Sequence, residues 1–85
     1  MSTEEHRERL IAFLNTVARP GQVAGEGGDD ESNLVQANVV DSFAVIQIIF
    51  YLEENYGVNL PAMGIDPADL VSIAGMMSVI ERSFE

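Results

Sequence analysis

The chain begins with a pattern of polar and apolar residues that predicts an amphipathic helix. Ser2 and Glu5 have the spacing of a capping box, and Arg19-Pro20-Gly21 is a stop signal. Between them, apolar residues recur every three or four positions and share one helical face: Leu10, Phe13, Leu14 and Val17, flanked by Ile11 and Ala18. The single histidine, His6, falls on the polar face, where we expect an exposed side chain with no chemical role.

A second helical pattern begins at Asp41-Ser42 and ends at Gly57, a residue type that suits the position after a helix. The predicted core stripe contains Val45, Ile49, Leu52 and Tyr56, with Ile46 and Ile48 beside it. The opposite face is unusual, because a surface helix normally has a polar outer face. The residues of this face are Phe43, Ala44, Gln47, Phe50, Tyr51 and Glu54, and four of these six are apolar.

A long connection without periodicity joins these two helices. Residues 20–33 are rich in glycine and include an acidic run at 29–31, so we expect the front of this loop to be flexible. The back of the connection contains Leu34, Val35, Val39 and Val40, which are apolar enough to pack onto a core. A loop of this length is uncommon in a small domain unless it is functional or mobile.

The last third of the chain predicts one short and one longer helix. Asp66 and Pro67 begin the short helix, and Ser72 begins the last helix, which runs to about Phe84. Gly75 lies inside that helix and permits close packing. The predicted buried stripe is Ile73, Met76 or Met77, Ile80 and Phe84. The whole pattern predicts an all-α bundle of three longer helices and one short helix, forming one domain over residues 1–85.

Composition and charge restrict the class of function. The 85 residues include 14 acidic and 4 basic residues, with a net charge of −10, and no lysine or cysteine. This balance argues against nucleic acid and anionic membranes as partners and favours basic patches on proteins. Without cysteine there is no disulfide, thiolate zinc site or cysteine nucleophile. No apolar run is long enough to span a membrane and the N-terminus is acidic, so we expect a cytoplasmic monomer.

The clusters of acidic residues predict neither a metal site nor catalysis. A calcium loop starting at Asp29 would need glycine at its sixth position and glutamate at its twelfth, but the chain has Leu34 and Val40 there. Glu53 and Glu54 are typical of a solvated helix surface. The acidic residues at 66 and 69 are explained as helix caps.

Ser42 is the residue with the clearest chemical potential. It is either a second capping residue beside Asp41 or an acceptor for a phosphate ester at a helix N-terminus, where free N–H groups suit a phosphodiester. As a hydrolytic nucleophile it is poor, because the chain offers no G-x-S-x-G elbow and no general base near it.

Two segments around this serine resemble the acyl and peptidyl carrier protein family. Val40-Asp41-Ser42-Phe43 matches the family's attachment motif, and the stretch from Leu52 to Val58 matches the end of its second helix. Leu60-Pro61, the short helix from Asp66 to Leu70 and the Ser72-Ile73 helix start also match in order and approximate spacing. The resemblance extends from about residue 34 to residue 84.

The resemblance implies a modified serine. A phosphopantetheinyl transferase would attach 4′-phosphopantetheine from coenzyme A to Ser42, and Asp41 would assist by lying near the magnesium ion of that transfer complex. The thiol of the arm would hold an acyl or aminoacyl group as a thioester. An activating ligase would load this cargo and a downstream synthase or transferase would receive it, so the chain itself would catalyse nothing.

The departures from the family pattern favour a specialised, stand-alone carrier, for an aminoacyl group or an intermediate of secondary metabolism. Carriers of fatty-acid synthesis usually have acids along the outer face of helix two, but here the positions hold Ala44 and Gln47, and Glu54 remains. We expect partners to dock on this outer face, whose residues are Phe43, Ala44, Gln47, Phe50, Tyr51 and Glu54. The alternatives are an unmodified carrier-like interaction subunit, an ordinary fatty-acid carrier and a small serine-dependent enzyme.

Overall fold

A computed structural model describes residues 2–25 and 30–84, and it shows the predicted all-helical fold. Helix α1 spans Thr3–Val17, α2 spans Ser42–Tyr56, a short 3-10 helix spans Pro67–Leu70, and α3 spans Ile73–Arg82. The described residues contain no β-strand. The Cα radius of gyration is 11.9 Å, which matches the value of about 12 Å expected for one domain of this length.

Capping residues fix the helix ends where the sequence predicts them. Ser2 Oγ accepts a hydrogen bond from the Glu5 N–H at 3.2 Å, and Ser72 Oγ accepts one from the Gly75 N–H at 3.0 Å. Gly57 follows α2 with a left-handed backbone (φ 63°), and its N–H donates to a carbonyl in the last turn. These local bonds satisfy backbone groups that a helix terminus leaves without partners.

Buried aliphatic side chains from all four helical elements meet in one core. The side chains of the core are Leu10, Leu14, Ala24, Leu34, Val40, Ala44, Ile48, Leu52, Leu60, Leu70, Ile73, Met76, Met77, Val79 and Ile80. The back of the long connection therefore packs as predicted, and Val79 joins the core in addition to the predicted positions. Two predicted core residues are wrong: Ile46 is 48 % exposed and Phe84, which follows the end of α3, is 61 % exposed.

The described parts of the long connection are anchored to the helices. The Ala24 N–H donates to Asn15 Oδ1 at 2.9 Å, and Ala24 is buried. The Leu34 N–H donates to the Val71 carbonyl oxygen at 2.7 Å. The predicted flexibility of the glycine-rich front also concerns residues 26–29, which lie outside the described residues, and it stays a prediction.

An ion pair links the connection to α1. The Arg7 guanidinium donates to both carboxylate oxygens of Asp30, at 2.9 and 2.6 Å, and this hydrogen bonding lowers the pKa of Asp30. The Asp30 carbonyl oxygen also accepts a hydrogen bond from the Ala74 N–H in α3 at 2.7 Å. Asp30 thus joins α1 to the first turn of α3.

The prediction that His6 is exposed is wrong. His6 is 7 % exposed, and its Nδ1 lies 2.9 Å from the Tyr56 hydroxyl oxygen, within hydrogen-bond distance. The rings of Tyr56 and Phe84 lie 5.4 and 5.0 Å from the imidazole centroid. Burial in this cluster raises the pKa of Tyr56. The reason is tertiary packing, because the cluster joins the start of α1, the end of α2 and Phe84, which lies two residues after the end of α3.

Candidate functional site

The start of α2 separates the roles of Asp41 and Ser42. Asp41 is the N-cap, with an extended backbone, and its Oδ1 accepts a hydrogen bond from the Ala44 N–H at 2.9 Å. Ser42 is the first residue of the helix, and it is exposed. Because Asp41 caps the helix, capping does not account for a serine at position 42.

An open apolar groove of about 300 Å³ lies beside Ser42. Its walls come from α2, from the 3-10 helix with the residue after it, and from the connection before α2. The lining residues are Val35, Ser42, Val45, Ile46, Ile49, Pro67, Ala68 and Val71. Among these described residues, Ser42 has the only polar side chain. We call this feature the Ser42 groove.

Three exposed apolar side chains form a stripe along the outer side of α2. Phe43 is 66 % exposed, Ile46 48 % and Phe50 62 %. Their spacing of three and four residues places them on one helical face. Gln47 is half-buried and Glu54 is exposed. We call Phe43, Ile46 and Phe50 the outer stripe, and Ile46 belongs both to this stripe and to the Ser42 groove.

Two residues predicted for the outer face do not lie there. Ala44 is 1 % exposed and belongs to the core. Tyr51 is half-buried, and its ring stacks on Phe13 of α1 with 4.3 Å between centroids. Helix α1 therefore contacts α2 at Tyr51, Ala44 packs into the core, and Ile46 is left exposed. The helical pattern thus predicts the exposure of Phe43 and Phe50 correctly, but it places the boundary between the exposed and buried faces of α2 wrongly.

The described residues were also searched for membrane-spanning helices and for groups of metal-ligating side chains. None of their helices combines the length and apolar character needed to cross a membrane. Within the same residues, no three side chains of the histidine, cysteine, aspartate and glutamate types are grouped so that they could hold a metal ion.

The helix order and the exposed serine at the start of α2 describe a small helical fold of the acyl-carrier type. The chain is similar to a probable acyl carrier protein, PigG, from Serratia sp. (strain ATCC 39006), with 26 % identity over 74 residues. The match covers 87 % of this chain and 83 % of that protein. No family model and no solved structure matches the chain. The similarity supports membership of the acyl carrier family and a carrier role.

Proposed function

We propose that this protein is a discrete acyl carrier that receives 4′-phosphopantetheine on Ser42. The observation that carries the proposal is an exposed serine in the first turn of α2, next to an aspartate that already caps the helix. The serine hydroxyl is therefore accessible to a modifying enzyme, and its loss would leave the cap in place. The similarity to a protein named as an acyl carrier supports the same function.

The surroundings of Ser42 fit a phosphodiester. The first N–H groups of a helix have no intrahelical acceptor, and the positive end of the helix dipole favours an anion. Asp41 is a nearby negative charge, but its carboxylate is engaged by the Ala44 N–H. We propose that Asp41 assists attachment in the complex with a phosphopantetheinyl transferase. When bound, the group supplies a thiol for thioester chemistry, which a chain without cysteine lacks.

The protein presents cargo and does not itself catalyse. The cargo would be an acyl or aminoacyl group held as a thioester, and the similar Serratia protein is named as a probable acyl carrier protein. The half-buried Gln47, in place of an acid, favours a specialised pathway over ordinary fatty-acid synthesis. An acyl-activating ligase loads the arm, and a downstream synthase or transferase receives the cargo, in the cytoplasm and from a monomeric carrier.

The first prediction concerns the unmodified wild-type protein. Incubated with coenzyme A, magnesium and a phosphopantetheinyl transferase of broad specificity, it should gain the mass of one phosphopantetheine group. Intact-protein mass spectrometry measures the change, and a carrier known to accept the same transferase is the control. If the control is modified and this protein is not, the alternative of an unmodified interaction subunit is favoured instead.

The outer stripe is the proposed docking surface for the loading enzyme. Phe43 and Phe50 expose most of their rings although the core is complete without them. Contiguous exposed apolar side chains mark interaction surfaces more often than isolated ones. Gln47 and Glu54 lie along the same side of α2 and complete the proposed surface. Acidic residues at either end of the stripe, Asp41 and Glu54, favour a partner with an apolar contact surface and basic residues around it.

The second prediction concerns Phe50→Ala in the modified protein. Loading by an acyl-activating ligase that accepts the wild type should slow by about 5- to 30-fold, the effect of losing about 1–2 kcal/mol at an interface anchor. Because Phe50 is exposed, the free energy of unfolding should change by no more than about 0.5 kcal/mol. The measurements are the loading rate and thermal unfolding.

Phe84→Ala is the matched control for this prediction. Phe84 is 61 % exposed, much like Phe50 at 62 %, but it lies beside His6, away from the outer stripe. Loading of the Phe84 variant should equal that of the wild type. Equal loading of both variants would exclude the outer stripe as the docking surface. A large drop in the melting temperature of the Phe50 variant would place Phe50 in the core.

A further inference from the structure

We propose that Asn38 is a positioning residue for the modification of Ser42, and that it acts through its left-handed backbone. Asn38 has a φ of 64°, and among the described residues it is the only one other than glycine with a positive φ. Such a backbone is unfavourable for most L-amino acids, and residues that retain it cluster at functional sites. The inference rests on the proposed function, since it concerns how the protein presents Ser42 to the modifying enzyme.

Asn38 closes a hydrogen-bonded turn, residues 33–39, which we call the first turn. The Asn38 N–H donates to the Val35 carbonyl oxygen at 3.0 Å, and the Val39 N–H donates to the Leu34 carbonyl oxygen at 2.9 Å. This pair of bonds is the arrangement that ends many helices, and it places a left-handed residue at the position of Asn38. A residue that disfavours a positive φ at this position would therefore weaken both bonds.

The chain builds the same turn a second time, at residues 59–65, which we call the second turn. Two bonds of the same kind close it, from the Gly64 N–H and the Ile65 N–H, each 3.1 Å long. Gly64 occupies the position that Asn38 has in the first turn, and its φ is 73°. The second turn precedes the 3-10 helix, whereas the first turn precedes α2 and Ser42. The two turns thus share a construction and differ in what they position.

The first turn fixes the segment that leads into Ser42. Val39 is held from both sides, because its carbonyl oxygen also accepts a hydrogen bond from the Arg19 N–H at 2.8 Å. Val40, the next residue, is 1 % exposed and packs in the core. Ser42 is two residues further along the chain, and it lines the same groove as Val35 of the first turn. The direction in which the chain enters α2 therefore depends on the first turn.

The backbone of Asn38, and not its side chain, is the part that we expect to matter, because the side chain is exposed. Asparagine and glycine accept a positive φ more readily than a β-branched residue does. If the first turn opened, the transferase would bind only the fraction of molecules in which the turn is closed. A smaller competent fraction weakens apparent binding, so it raises the KM for the carrier and leaves kcat unchanged.

The test measures phosphopantetheine transfer with the carrier concentration varied and with coenzyme A, magnesium and a transferase of broad specificity supplied. Asn38→Val should raise the KM for the carrier about 5-fold and leave kcat within about twofold, since a left-handed backbone costs an ordinary L-residue about that factor or more in population. Asn38→Ala, which has no branch at Cβ, should raise the KM less. Asn38→Gly should retain the wild-type KM, because glycine adopts a positive φ without strain.

Amide hydrogen exchange follows the first turn without any enzyme. In the Asn38→Val variant the Val39 amide proton should exchange with solvent about 5-fold faster than in the wild type, because opening of the turn exposes it. In the Asn38→Gly variant this proton should stay protected. Thermal unfolding shows that each variant is folded at the temperature of the assay.

Gly64→Val is the matched control for a general loss of stability. It introduces the same residue at the same position of the second turn, where no atom lies within 4 Å of the Cβ position. It should lower the melting temperature at least as much as Asn38→Val, because glycine pays none of the cost of a left-handed backbone that asparagine already bears in part. The KM for the carrier should equal that of the wild type, because the second turn does not lead into Ser42.

Four results would overturn the inference. A wild-type KM in the Asn38→Val variant would show that the first turn does not position Ser42. An equal rise of the KM in the Gly64→Val variant would show a general effect of stability, and a raised KM in the Asn38→Gly variant would show that the side chain matters instead of the backbone. If intact mass shows no phosphopantetheine on the wild type, the proposed function fails and takes the inference with it. Any of the first three results on a modified wild type overturns the inference alone.

Discussion

Replacing Ser42 with alanine is expected to abolish attachment of phosphopantetheine and leave the fold intact. Ser42 is exposed, and the cap of α2 is made by Asp41 through the Ala44 N–H at 2.9 Å. The substitution removes one surface hydroxyl and introduces a residue with high helix propensity. The free energy of unfolding should change by no more than about 0.5 kcal/mol. Intact mass after treatment with the transferase and thermal unfolding measured by circular dichroism are the two readouts.

Ser72→Ala is the matched control, because Ser72 is also a serine at a helix start but has the opposite role. Its Oγ accepts the Gly75 N–H at 3.0 Å and so caps α3. Its loss should reduce stability by about 1 kcal/mol and leave modification complete. A phosphopantetheine group on the Ser42 variant would show that another serine, such as Ser32 or Ser72, is the attachment site. Modification lost from both variants would point to a fold defect.

The helix ends could be predicted from the sequence because they are determined locally. Ser2, Asp41 and Ser72 each bond to an N–H three residues later, so the capping residue and its target lie in one short segment. Gly57 likewise ends α2 through its own backbone conformation. Such features need no knowledge of the rest of the chain.

The orientation of α2 could not be predicted fully because apolar residues surround most of its circumference. Ala44 and Ile46 are both apolar, and the sequence gives no reason to bury one and expose the other. Tertiary packing makes the choice: Ala44 joins the core, and Phe13 of α1 stacks on Tyr51, two turns further along the same side of α2. The buried position of His6 has the same kind of cause, since its partner Tyr56 is 50 residues away in sequence.

One part of the candidate site could be predicted from the sequence and the other could not. Asp41 and Ser42 are adjacent, so a short motif predicts them. The Ser42 groove has no such signal, because its walls include Val35, Ile49 and Ala68 from three separate segments. Val45 and Ile49 satisfy the pattern of a core stripe, and the groove exists because the small 3-10 helix leaves part of that stripe uncovered. The spacing of apolar residues along α2 does not show how much of the helix the 3-10 helix covers.

That 3-10 helix is held in place by a close backbone approach, so Gly75→Ala is expected to destabilise the fold strongly. A Cβ built at Gly75 would overlap the carbonyl oxygen of Asp69 and lie 3.3 Å from Ser72 Oγ. The obstacle at Asp69 is backbone, next to the fully buried Leu70, so neither helix can move aside easily. Because the obstacle is backbone, the cost of overpacking should lie at the upper end of its usual range, at about 3 kcal/mol. This cost exceeds the gain of about 1 kcal/mol from replacing glycine inside a helix.

The expected net loss is about 2 kcal/mol, or roughly a 10 °C lower melting temperature for a domain of this size. Urea unfolding and thermal unfolding measure it. Gly64→Ala is the control: Gly64 has a left-handed backbone (φ 73°) with no neighbour within 4 Å of its Cβ position. It should cost only about 1 kcal/mol of backbone strain. Pro67 and Ala68 form one wall of the Ser42 groove, so the Gly75 variant should also displace that wall. In methyl NMR spectra the signals of Ile49, which lines the same groove, should shift in the Gly75 variant and stay unchanged in the Gly64 variant. A Gly75 variant as stable as the wild type would show that the two helices do not approach each other as closely as described.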